Sequence, residues 1–130
     1  MFQNLDIFKT AHAMASHAGA RQTLVAQNMA NADTPGYAAQ DLPAFAEIHR
    51  QGPQGFRPVV TRAGHMLAPQ GNSGLPPARE RHDAVADPNG NSVSLETEML
   101  KAVDVKRQHD RAIAIYRSSL TVLRTALGRQ

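Results

Sequence analysis

Apolar residues recur at helical spacing over two long stretches, one at each end of the chain, with an irregular tract between them. From residue 4 to 31 there is no proline and one glycine, Gly19. Ile7, Ala11, Met14, Ala18, Val25 and Met29 fall at intervals of three, four and seven, within about 60° on one helical face. Ala13, Ala15, Ala20, Ala26 and Ala30 raise helix propensity and keep the flanks thin. The pattern predicts an N-terminal helix over 1–31 whose stripe allows close approach to another helix but is too small to form a core alone.

A second helix is expected from about Ser94 to Leu127, in a unit spanning 93–130. Ser94 is a natural N-cap, Glu96 and Glu98 suit the positive end of the helix dipole, and Gly128 supplies a stop. Leu95, Met99, Ala102, Lys106, His109, Ile113, Tyr116, Leu120, Leu123 and Leu127 alternate by four and three. This is a heptad seam, interrupted by Lys106 and His109. Ile115, Val122 and Ala126 form a second stripe about 100° away, so the helix is expected to meet more than one neighbour.

Residues 32–50 read as a turn and its exit, and residues 51–92 as a loose middle. That middle holds 12 Gly or Pro and only six Leu, Ile, Val or Phe. Val59-Val60-Thr61 fits a short strand, and 71–77 reads as open loop. The fold class expected is mainly α: two long helices pairing as a coiled coil, one structural unit, with at most short strands between them.

Composition narrows the function classes. Of 130 residues, 21 are alanine and 26 are Leu, Ile, Val or Phe, with no Trp and no Cys. A compact enzyme core with a lined pocket is a poor use of such material. Disulfides, thiolate metal sites and Cys nucleophiles are excluded, and no apolar run is long enough to span a membrane. His12 and His17 point about 140° apart on a helix and miss chelating geometry; His49, His65, His82 and His109 lack companion ligands. No GxSxG, P-loop or dinucleotide-binding loop occurs. No catalytic residue, metal site or cofactor is expected.

The net charge of +3 is concentrated in residues 93–130, where seven basic and four acidic groups lie. A basic-helix nucleic-acid binder is the alternative this raises. The basic residues scatter around the helix with acids interspersed, and aromatic platforms are missing, so nucleic acid is not expected as a partner. The first six residues lack the basic and apolar regions of a secretory signal, so if the protein leaves the cytoplasm it is expected to do so by a route without a cleaved signal.

The most specific segment runs from Asn28 to Tyr37, Asn-Met-Ala-Asn-Ala-Asp-Thr-Pro-Gly-Tyr. Physically it is a helix exit: Asn31 tolerates the cap, Pro35 stops the helix, and Thr34-Pro35-Gly36-Tyr37 fits a type II turn. The whole phrase resembles the N-terminal signature of the bacterial flagellar rod and hook axial proteins. Asp41, Leu42 and Phe45 resemble the stretch that follows it. Asp87 to Val93 and Leu95 to Met99 resemble the segment leading into the C-terminal helix. Gln40 departs from the pattern, standing where a basic residue is common, and Pro43-Ala44 lengthens the approach to Phe45.

The resemblance implies a structural subunit of the proximal rod in the flagellar basal body, assembled helically to transmit torque; another rod protein of the family is the alternative. It implies a periplasmic location reached by flagellar type III export. The partners implied are other copies of the chain, neighbouring rod proteins, the rod adaptor, the inner-membrane ring and the export gate. The residues it marks are the turn residues Asn28, Asn31, Thr34, Pro35, Gly36 and Tyr37, with Phe45 as a candidate export-gate contact. Phe45 has a second reading, as a packed ring at a strand or helix edge. Assembly is expected to use the helix stripes, chiefly Ile7, Met14, Val25, Met29, Leu95, Met99, Ile113, Tyr116, Leu120, Leu123 and Leu127.

Overall fold

The computed structural model describes residues 2–51, 76–81 and 86–128. The expected strand at Val59–Thr61, most of the loop at 71–77, and His65 and His82 lie outside them.

Two long helices dominate, α1 (Phe2–Ala30) and α3 (Leu95–Leu127). Between them lie strand β1 (Gln40–Asp41), the short helix α2 (Phe45–Gln51) and strand β2 (Arg79–Glu80). The strands pair antiparallel, Gln40 opposite Glu80 and Asp41 opposite Arg79. Helix α1 ends where Pro35 and the turn before it forbid continuation. Helix α3 starts after Ser94, whose side chain makes no cap bond; its carbonyl instead accepts from the Glu98 N–H and the Thr97 hydroxyl. Gly128 ends α3 at φ −84°, its N–H donating to the Arg124 carbonyl, so the stop needs no left-handed residue.

The long helices run antiparallel. Asn28, near the end of α1, bonds Glu98 near the start of α3, and the Phe8 ring meets Tyr116 edge-on at 5.1 Å. On α1 the buried apolar residues are Ala11, Ala18 and Val25; on α3 the buried residues are Glu98, Val105 and Ala112. Each set repeats every seven residues, as a two-helix seam requires. Methyl-sized side chains in both sets let the backbones approach closely.

The α1 stripe covers the expected residues: Val25 is buried, Met14 and Met29 are half-buried, and Ile7 lies at the exposed margin. On α3 the covered face differs from the heptad read by size. Glu98, Val105 and Ala112 each precede a residue of that heptad by one position, and the covered face is turned by roughly 60° from the middle of the heptad face. Leu95, Met99, Tyr116 and Leu127 are exposed, and Ile113, Leu120 and Leu123 are half-buried. The physical reason is complementarity: an alanine-lined α1 leaves room for valine and alanine opposite, not for a row of leucines. The second stripe, Ile115, Val122 and Ala126, is exposed as well.

Candidate functional site: a buried polar junction

The turn phrase does not stand alone. The end of α1, the chain from Tyr37 to Leu42, the loop 87–93 and the first turns of α3 close on one another around buried polar side chains. Asn28, fully buried, uses its whole amide: Nδ2 donates to the Gln40 carbonyl (2.8 Å) and Glu98 Oε2 (3.0 Å), while Oδ1 accepts from the Gln40 N–H (3.0 Å) and the Tyr37 hydroxyl (3.3 Å). A side chain so engaged fixes four backbone or side-chain groups at once.

Asn91 does the complementary work at the helix exit. Its Nδ2 lies 2.9, 2.7 and 2.8 Å from the carbonyls of Asn31, Ala32 and Thr34, and its Oδ1 accepts from the Val93 N–H. Those carbonyls belong to the turn that follows α1, so a residue about 60 positions away braces the helix exit. Asn31 itself donates from Nδ2 to the Gln27 carbonyl and accepts from the Thr34 hydroxyl at the exposed side.

Gly36 takes φ 71°, and the Tyr37 N–H reaches the Thr34 carbonyl at 3.3 Å, closing the expected turn over Pro35. The Gly36 N–H donates to the Asn89 carbonyl, and a Cβ on Gly90 (φ 79°) would stand 3.4 Å from Gly36 Cα. The two turns therefore pack back to back. Ser92 accepts the Ala39 N–H on its hydroxyl and donates its own N–H to the Tyr37 carbonyl, seating Ala39 in the interior.

Charges complete the junction. Glu98 is 0% exposed; its Oε1 accepts from Arg81 at 2.8 Å, and Lys101 Nζ lies 3.6 Å away. Asp41 accepts a two-pronged bond from Arg21 (2.9 and 3.0 Å) and a third from Lys101 (3.0 Å). Burial alone would raise the Asp41 carboxyl, but the bonds from Arg21 and Lys101 outweigh it and hold the group below the ordinary carboxylate range. Both carboxylates are committed to cations, which suits holding segments together rather than moving protons. Among the described residues no cluster of three His, Asp or Glu could hold a metal ion.

The junction joins Asn28, Asn31, Thr34, Gly36 and Tyr37 to Asn91, Ser92 and Glu98, from the segments that resemble the family's approach to the C-terminal helix, and to Arg81, Lys101 and Arg21, which sequence patterning does not single out. Phe45 is half-buried, its ring against His17 and stacked on His49. On the long helix pair, a groove of about 820 Å³ has walls of Ala18, Gly19 and Ala26 from α1 and Ala102, Val103 and His109 from α3.

No protein-family model matches the chain. Curated relatives do. Over 126 residues, 89% of this chain and 88% of the relative, it is 31% identical to the flagellar basal body rod protein FlgB of Agrobacterium fabrum. The chain belongs to the FlgB family of flagellar rod proteins. It is also 29% identical over 100 residues to FlgB of Escherichia coli K12 and to that of Shigella flexneri, with 72% of each chain covered. FlgB proteins are structural, which fits a site made of interlocked amides and ion pairs. No described helix is long and apolar enough to cross a membrane.

Proposed function

We propose that the chain is a subunit of the proximal rod, stacking helically with copies of itself and with neighbouring rod proteins to transmit torque in the periplasm. One observation carries the assembly surface. The α1–α3 seam is closed by small residues, while Leu95, Met99, Leu100, Val103, Val122 and Leu127 stay exposed on α3. Monomers rarely display such a series without a partner to cover it. A contact of this kind that does not close on itself generates a tube or filament. The half-buried Ile113, Leu120 and Leu123, with Ile7, Met14, Met29 and Tyr116 at the edges, extend the surface along the pair. The rod adaptor, the inner-membrane ring and the export gate are the further partners of this reading, with passage through the flagellar export channel.

The test is basal-body incorporation of Met99→Asp in a strain lacking the native gene. The variant should fold, because Met99 is 56% exposed, and should be absent from purified rods. Wild-type incorporation removes this face from the assembly. Failure of the wild-type gene to restore motility in that strain removes the rod reading itself.

Phe45 is the proposed export-gate contact. In the folded chain its ring is occupied by His17 and His49, so only an unfolded chain would present it. His49 is not apolar and Ile48 comes one residue early for the family's Phe-x-x-x-apolar pattern. Export of Phe45→Ala at the wild-type rate would leave the ring with its packing role alone.

A further inference from the structure

His17 is 1% exposed, and its Nε2 lies 2.9 Å from the Pro43 carbonyl. A carbonyl only accepts, so the ring proton sits on Nε2 and Nδ1 is a bare lone pair. That Nδ1 is buried with no hydrogen-bond partner. The same ring lies 5.6 Å from the Phe45 ring, tilted 54°. One side chain thus grips both Pro43, two residues before α2, and Phe45, which begins it.

The charges facing His17 come from each neighbouring element. Arg21 lies one turn along α1, Asp41 lies on β1, and Lys101 reaches Asp41 from α3; His49 lies behind Phe45. Asp41 could serve as a counter-ion only if free. Its Oδ1 already accepts from Arg21 Nε and the Leu42 N–H, and its Oδ2 from Arg21 Nη2 and Lys101. A proton added at Nδ1 would therefore be a buried cation without an acceptor, beside an arginine.

We propose that His17 is a proton-operated latch for residues 43–51: the neutral ring holds them on α1, and protonation at Nδ1 releases them. The charged ring reaches water only by swinging outward, which breaks the Pro43 bond and leaves the Phe45 face. The α1–α3 seam contains neither group and stays closed. Burial pushes the His17 pKa down and the Pro43 bond pulls it up; Arg21 lowers it, Asp41 raises it, and the net position is below 6.5. The released ring recovers the ordinary value, so the released state binds more protons. The latch holds above pH 6.5 and weakens as the pH falls below it. With 6.5 for the free ring, the ratio of released to held chains rises between roughly pH 7.5 and 5.5, by about tenfold at most, the limit for a held ring that takes no proton at the lower pH.

The experiment is amide hydrogen exchange on the full chain at those two pH values, corrected for the chemical exchange rate, with residues 98–112 as internal reference. Protection of 43–51 should fall at the lower pH, by up to about tenfold, while the reference stays constant. His17→Gln, whose amide can donate to the Pro43 carbonyl without titrating, should abolish the response, and His12→Gln should keep it. The proposal is overturned by a flat wild-type response or by an unchanged response in His17→Gln. It is equally overturned by an unprotected 43–51 at the higher pH or by an equal loss over 98–112. If His17→Gln does not fold, the His17 ring titration by NMR in the wild-type chain decides. A midpoint below 6.5 supports the latch, and one at or above 6.5 overturns it.

Discussion

Asparagine is ordinarily a turn residue, yet Asn28 and Asn91 act here as interior braces. Asn28 and Asn31, three residues apart at the end of α1 and just beyond it, differ sharply in consequence. Asn28→Leu keeps the branched shape but strands the Gln40 N–H and carbonyl and one Glu98 oxygen in the interior. A loss of about 3 kcal/mol or more is expected in urea unfolding. Asn31→Ala removes bonds made at the exposed side and should cost about 1 kcal/mol or less. Equal costs would mean the junction does not govern stability. Asp41 adds a pH signature: its folded pKa is depressed below 3.8, so its contribution is complete above 3.8 and lost as the pH falls through the folded value. Stability measured from pH 5 downward should fall, and Asp41→Asn should flatten that fall while lowering stability at neutral pH. None of these partnerships was legible in advance. Glu98 reads as a helix-dipole residue and Asn91 as loop, because their partners lie 57 to 70 positions away.

At the scale of elements, the boundaries were the legible part. Pro35 and Gly128 stop the helices as their chemistry dictates, and an alanine-rich stripe announces α1. The phase of α3 was not legible, because periodicity rewards the largest apolar residues and the intrachain seam uses the smallest. Helix α2 was missed for a different reason: seven residues carry no period to read. The two faces of α3 make opposite predictions. Val105→Asp puts a charge on a residue 1% exposed; it should cost several kcal/mol, about 3 to 5, and lower the melting temperature of the isolated chain. Met99→Asp should leave that melting curve within about 0.5 kcal/mol of wild type. Reversal of the two results would restore the seam read from residue size.

At the scale of the whole molecule, the junction and the seam both join residues from opposite ends of the sequence. Asn28 reaches Glu98, Asn91 reaches the Asn31 carbonyl, and the Phe8 ring finds Tyr116. An isolated α1, however rich in alanine, lacks the covering that long helices in proteins depend on. A fragment of residues 1–51 should therefore show little helix by circular dichroism, and adding residues 86–130 should restore it at high concentration. A fragment already helical alone would contradict this dependence. The antiparallel arrangement then sets a schedule. Wherever the chain emerges N-terminus first, from a ribosome or through a narrow passage, α1 meets the helix that covers it only once residues 95–116 have appeared. Closure waits for these long loops and comes late and all together. The far end of the sequence thus acts as the release signal for folding, and a chain held midway in a pore lacks the paired long helices that would jam it.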